Sequence, residues 1–251
     1  QNGVAMGSYG LYLVTSDGGR TWEESSVDEE NEFHLNGMIR FADGRRMIAG
    51  EAGYSYRSFD DGETWELLDL PYPGSMWGAL RTASGCAVFF GLRGHAMESC
   101  DFGDTWTELP TGTGASLTGA AEHQGVVVFA GNSGTVLTWA GRHFTEHKHS
   151  SGVDFAAVLP LGGSLFLLVG EEGGHLFPDG PHPLGGRVPV GRAQVGQHPQ
   201  IALGEGTDAG HRIHVEQADH VVVVVQRNTH QRADPLGRGP QLGGSRQAAL
   251  S

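Results

Sequence analysis

The stretch Gly50 to Trp65, GEAGYSYRSFDDGETW, is the unit from which most of this chain is built, and it can be written GxxGxxxxSxDxGxTW. It recurs at Gly7, Gly10, Thr15, Asp17, Gly19, Thr21 and Trp22, and again at Gly91, Gly94, Ser99, Asp101, Gly103, Thr105 and Trp106. A worn copy keeps Gly131, Gly134, Gly141 and Phe144, and a half copy keeps Gly170 and Gly173. The leading glycines step by roughly forty residues, the period of a propeller blade.

The residue types at this spacing have a physical reason. Asp and Ser or Thr hydrogen-bond neighbouring backbone N–H groups and close a tight turn, while Gly supplies the positive φ that other residues resist. In the three intact boxes these roles fall to Thr15, Asp17, Gly19 and Thr21, to Ser58, Asp60, Gly62 and Thr64, and to Ser99, Asp101, Gly103 and Thr105. Thr-Trp then opens the next strand, so Trp22, Trp65 and Trp106 are expected as equivalent core residues filling the gap between stacked sheets. A catalytic role for the three aspartates is disfavoured, because a turn repeated around a ring points its copies apart.

Short apolar runs surround the boxes. In the second unit Met38 to Phe41 reads as a half-exposed strand, Ala42-Asp43-Gly44 as a turn and Met47 to Ala49 as a buried strand. The third unit repeats that order with Trp77 to Leu80 and Cys86 to Phe90, and the fourth keeps its strands although its box has lost Asp and Thr. The expected fold is therefore all-β, a β-propeller of four-stranded antiparallel blades, with four to five blades recognisable over residues 1–177. Gln1 falls inside a blade, so the N-terminus reads as truncated and targeting information is not to be sought here.

From Pro178 to Ser251 there is no Phe, Tyr, Trp or Lys, and no box. This Arg-, Gly-, His- and Pro-rich segment, 178–251, reads either as a disordered tail or as frame-shifted text; the second is preferred because the change begins inside a blade. His211 to Asn228, with five consecutive valines, retains the capacity to pair as a hairpin.

Bulk numbers exclude some functions. A formal charge of −13 opposes a nucleic-acid partner, and no apolar run is long enough for a transmembrane segment. Glu23, Glu24, Asp28, Glu29, Glu30 and Glu32 form one acidic connection, read as a solvated loop, with a site for a cation or basic partner as the sharper alternative. Cys86 and Cys100 flank Arg93 symmetrically and would face each other in a simple hairpin. A disulfide is conceivable there, but buried free thiols are the commoner state of such small apolar positions. His143, His147 and His149 invite a metal reading, yet loop histidines beside a degenerate box are more often solvent-exposed. No cofactor and no metal are expected.

The repeated GxxG and SxDxGxTW pattern resembles the Asp-box repeats of bacterial neuraminidases, and most closely the photosystem II assembly and stability factor-like propellers of photosynthetic and other bacteria. The resemblance covers about residues 1–177. It implies a seven-bladed ring, exported to the periplasm or thylakoid lumen, that binds other proteins during membrane-complex assembly and carries no catalytic residues. The family's photosynthetic members are associated with a basic patch. Here the repeat region is acidic, with Arg40, Arg45, Arg46, Arg57, Arg81 and Arg93 scattered.

Partners are expected on the face opposite the boxes, where the candidate binding residues are Glu51, Tyr72, Trp77, Glu171 and Glu172, with Asp28, Asp69 and His123 nearby. The expected function is a non-enzymatic, monomeric scaffold for a protein partner. The alternative is an Asp-box glycoside hydrolase or carbohydrate-binding propeller, which requires two carboxylates about 5 to 10 Å apart across a sugar.

Overall fold

The computed structural model describes residues 2–178 and the strand backbones of 211–212 and 222–227. Blade 1 holds β1 (Gly3–Gly7), β2 (Tyr12–Thr15) and β3 (Glu23–Ser25). Blade 2 holds β4 (Leu35–Arg40), β5 (Arg46–Gly50), β6 (Tyr56–Ser58) and β7 (Glu66–Leu67). Blade 3 holds β8 (Met76–Arg81), β9 (Ala87–Gly91), β10 (Ala96–Ser99) and β11 (Thr107–Glu108). Blade 4 holds β12 (Leu117–His123), β13 (Val126–Gly131), β14 (Thr135–Trp139) and β15 (Phe144–Lys148), and blade 5 holds β16 (Phe155–Gly162), β17 (Leu165–Gly170) and β18 (Gly173–Phe177).

Blades 2, 3 and 4 are four-stranded antiparallel meanders in chain order, as the repeat requires. The first strands of successive blades lie against one another, β4 on β8, β8 on β12 and β12 on β16, which sets the blades radially. Their approach is close: a Cβ on Gly37 would meet the Ala79 nitrogen at 2.8 Å, and one on Gly119 would meet the Ala157 Cα at 2.8 Å. Each first strand also carries a bulge, skipping Asn36, Trp77, Thr118 and Ala156 in the pairing. Asn36 uses its position to donate to the Met76 carbonyl of the next blade, and Thr118 donates likewise to the Phe155 carbonyl.

Blade 1 differs. Its β1 corresponds to the second strand of the other blades, and the place beside it that a first strand holds elsewhere is taken by β20 (Val222–Arg227), which runs parallel to β1. β19 (His211–Arg212) pairs antiparallel with β20, so two pieces of the valine segment do form a hairpin ladder. The remainder of 179–251 lies outside the described residues.

Apolar side chains fill the spaces between blades. One core cluster joins Ile39, Phe41 and Met47 of blade 2 to Ala79, Phe89 and Met97 of blade 3, and another joins Val88 and Phe90 to Leu117, Phe129 and Leu137. β4, expected to be half-exposed, is buried along Leu35–Ile39 because blades cover both of its faces. The tryptophans are not equivalent. Trp65 and Trp106 are half-buried, Trp65 packing edge-on to Tyr12 of blade 1 and Trp106 lying against Phe89 on the blade 2 side of blade 3. Trp22, on the outer flank of blade 1, is 39% exposed and turns its indole N–H to the Gly19 carbonyl.

Candidate functional site

In each four-stranded blade the first and third turns share one face, and the second turn and the inter-blade connection share the other. The boxes are third turns. Asp60 Oδ1 accepts from Ser58 Oγ at 2.8 Å and from the Thr64 N–H at 2.9 Å, while Oδ2 accepts from Thr64 Oγ1 at 2.6 Å. Asp17 and Asp101 repeat this arrangement with Thr15 and Thr21, and with Ser99 and Thr105. Gly62 donates its N–H to Ser58 Oγ, and Gly19 and Gly103 do the same in their boxes. The Thr21, Thr64 and Thr105 hydrogen bonds are the main cause of carboxyl pKa values of about 2 in all three aspartates. These carboxylates are committed to their turns.

Arginines knit the box face. Arg46, almost fully buried, meets Asp61 at 2.8 Å, and Arg40 meets the same carboxylate at 2.9 Å. Arg45 pairs with Asp43, and Arg57 reaches both Glu66 and Asp104. Four of the eight arginines in residues 1–177 are thus spent on ion pairs, which thins the material for a basic patch. His123, expected near the opposite face, ends β12 at the box face, where its ring lies edge-on to Phe166.

The opposite face is built on the second turns, and its geometry repeats. Tyr9, Ala52, Arg93 and Ser133 have φ of 57°, 53°, 56° and 55°, and each is followed by a glycine of positive φ. Two consecutive left-handed residues make a type I′ turn, which normally selects Asn-Gly or Gly-Gly. Here Tyr and Arg occupy a position that strains them by about 1 kcal/mol each. Pins from the neighbouring connection hold the tips. The Glu51, Leu92 and Asn132 N–H groups donate to the carbonyls of His34, Ser75 and Ser116, and the Ala52, Arg93 and Ser133 N–H groups donate to the side chains of Ser75, Ser116 and Asp154.

Aromatic and histidine rings line this face between tips and connections. Tyr9, 71% exposed, meets His34 edge-on at 5.2 Å; Phe33 stacks on Tyr54 at 4.5 Å; Tyr72 stacks on His95 at 3.8 Å. Glu51 accepts from the His34 N–H and lies 3.7 Å from its Nδ1, and His95 Nδ1 lies 2.8 Å from Glu108. The exposed Glu29, Glu30 and Glu32 run along the connection into Phe33 and His34, while Asp28 is occupied by the Tyr56 hydroxyl. Of the residues proposed from sequence, Glu51 and Tyr72 fall within this strip. Trp77 stands at the bulge near the start of β8, toward the channel. Glu171 and Glu172 sit at the turn of blade 5, with blades 3 and 4 between them and Glu51. At roughly 10 Å per packed sheet that separation makes no glycosidase pair. Tyr9, His34, Tyr54 and His95 were not among the binding residues expected from sequence; their signal was a ring just before the second glycine of GxxG (Tyr9), just after it (Tyr54 and His95) or in the connection (His34).

The cysteines are joined. Register places Ala87 opposite Ser99, hence Cys86 opposite Cys100, and a disulfide closes across a Cα separation of 4.2 Å. The free-thiol expectation is corrected: antiparallel neighbours of this kind approach to bonding distance. Glu98, on β10 two residues before Cys100, has its carboxyl pKa raised by burial. His149 is also corrected from exposed to buried, packed edge-on against Phe155 and His175.

Radial antiparallel blades, boxes locked by their own aspartates and pinned turns on the other face define an Asp-box β-propeller. The family model of the photosynthesis system II assembly factor YCF48 matches residues 1–152, and the chain belongs to that family. Among solved structures it is similar to YCF48 bound to a D1 peptide, at 19% identity and a TM-score of 0.54, covering 66% of this chain and 55% of that one. It is similar to YCF48 from Cyanidioschyzon merolae at 21% identity and a TM-score of 0.51, covering 65% and 58%. A catalytically inactive virginiamycin B lyase from Staphylococcus aureus, with quinupristin, matches at 14% identity and a TM-score of 0.54, covering 64% and 56%. The chain spans little more than half the length of these proteins, and at such identities the likeness is one of fold. No curated protein matches the chain. Among the described residues no helix is long and apolar enough to cross a membrane.

Proposed function

We propose that this chain is a non-catalytic scaffold that takes an extended segment of a partner protein on its type I′ turn face, in the assembly or stability of a membrane complex in the periplasm or thylakoid lumen. The observation that carries the reading is the pinned strip of Tyr9, His34, Tyr54, Tyr72 and His95 flanked by exposed Glu29, Glu30 and Glu32. Exposed rings on rigid supports bind at low entropic cost, and the acidic flank selects a partner with basic and aromatic side chains. Membership of the YCF48 family supports protein binding, as does likeness to a member bound to a D1 peptide. The aspartates of the boxes are tied into their turns, which removes the most numerous aligned carboxylates from catalysis.

The test is a fluorescence-anisotropy titration with a labelled peptide rich in Arg and Tyr and with its Arg→Glu counterpart. The expected result is salt-sensitive binding of the basic peptide alone, weakened by Tyr9→Ala and Tyr72→Ala. Turnover of glycans abolished by Glu51→Gln would instead establish the carbohydrate alternative.

A further inference from the structure

Blade 3 carries a group that the repeat does not need. In blade 2 the positions equivalent to Cys86 and Cys100 hold Arg45 and Phe59, so the turn and its box form without cysteines. In blade 3 the sulfurs of Cys86 and Cys100 and a carboxylate oxygen of Glu98 all lie within 4.8 Å of one another. They border an open pocket of about 230 Å³ lined by Glu98, Cys100, Asp101, Thr105 and Thr107. Asp101 is held in its box by Ser99 and Thr105, which leaves Glu98 as the carboxylate turned to the sulfurs.

The two cysteines are unequal. Cys86 is buried and fixed on three sides by Thr82: its N–H donates to Thr82 Oγ1, and its carbonyl accepts from both the Thr82 N–H and the Thr82 hydroxyl. Ser84 Oγ approaches its sulfur at 3.7 Å. Cys100 is exposed at the pocket rim. Reduction therefore leaves Cys86 on a main chain held by Thr82, with its sulfur buried, and leaves the exposed Cys100 side chain able to turn.

We propose that the Cys86–Cys100 bridge is a redox gate over a soft divalent-cation site, formed by both thiolates and Glu98 when the bridge is open. A dithiol reductant attacks the exposed Cys100 sulfur, the bridge breaks with Cys86 leaving as thiolate, and the second thiol of the reductant closes its own disulfide. Two electrons pass from reductant to bridge, and both cysteines end as thiols. A divalent cation then displaces the two thiol protons. Two thiolates and one carboxylate make a three-ligand set suited to zinc, with the pocket supplying access to a fourth position. Zinc–sulfur bonds near 2.3 Å in a tetrahedral site set the sulfurs roughly 3.8 Å apart, a separation that rotation of the exposed Cys100 side chain provides.

The test uses the full chain, reduced with a phosphine and titrated with Co²⁺ without oxygen, while far-ultraviolet circular dichroism follows the fold. The expected result is one equivalent of Co²⁺ with thiolate-to-metal charge-transfer absorption, bleached by Zn²⁺. The absorption should be absent from the oxidised protein and from Cys100→Ser, and affinity should fall about tenfold in Glu98→Gln. Histidine-bound Co²⁺ gives no such absorption, so the many histidines do not confuse the reading. A reduced, folded protein without the band overturns the proposal, as does an equal band in Cys100→Ser or an unchanged affinity in Glu98→Gln. Loss of the fold on reduction also overturns it, since the hairpin would not survive to hold the metal.

Discussion

Ser75 joins two blades at once: its hydroxyl accepts the Ala52 N–H at the tip of blade 2, at 3.2 Å, while its carbonyl accepts the Leu92 N–H of blade 3, at 3.0 Å. Ser116 and Asp154 repeat the arrangement one and two blades further on. The left-handed tip is strained, and the hydrogen bond from the next blade offsets part of that cost. Ser75→Ala should lower stability by about 0.5–1 kcal/mol, because the Ala52 amide can turn to water instead. Urea denaturation with an unchanged m-value checks this. A null effect would mean that the tips stand without their pins.

Phe102 occupies the left-handed position of the third box, with φ of 61°, yet its ring is buried against Phe41 at 5.3 Å and Phe59 at 4.9 Å, under the Arg45 guanidinium at 4.2 Å. The strained residue is thus the wedge between blades 2 and 3. Phe102→Ala should cost about 3 kcal/mol or more by emptying that site. Thermal denaturation would show it as one of the larger single losses in the chain.

The boxes make stability pH-dependent. The carboxyls of Asp17, Asp60 and Asp101 fall from 3.8 to about 2 in the fold. A depressed folded pKa stabilises at pH above the unfolded value, and the contribution is lost as pH falls through the folded one. Stability should therefore decline between about pH 4 and pH 2. Asp60→Asn should be less stable than the parent at neutral pH, and the gap should narrow toward pH 2. A constant gap across that range would show that the Asp60 charge contributes nothing.

Removing the disulfide through a Cys86→Ala and Cys100→Ala double variant should cost about 3 kcal/mol, the loop-closure entropy for a cross-link of 14 residues. The fold should persist, since blade 2 builds the same hairpin with Arg45 and Phe59. Chemical denaturation of the oxidised parent and the variant gives the difference directly.

Much of this architecture is written locally, which is why it was legible. Ser, Asp, Gly and Thr of a box bond to one another within a few residues, so their pattern alone specifies the turn. The symmetry of Cys86 and Cys100 about Arg93 gave the register by the same local logic. What escaped depends on neighbours distant in sequence. Trp22 and Trp65 carry the same motif but have different surroundings, so their burial differs. Tyr72 meets His95, and Phe33 meets Tyr54, only after a hairpin and a connection have folded together. His149 follows a degenerate box in a loop, and its burial comes only from Phe155 and His175 of blade 5.

Hydrogen–deuterium exchange of the protein with and without the basic aromatic peptide separates the two faces most directly. Binding at the type I′ face should slow exchange at residues 8–10, 33–34, 51–54 and 92–95 and leave the boxes around Asp17, Asp60 and Asp101 unchanged. Protection of the boxes instead, or of neither face under conditions where the peptide is bound, would contradict the assignment of partner binding to that face.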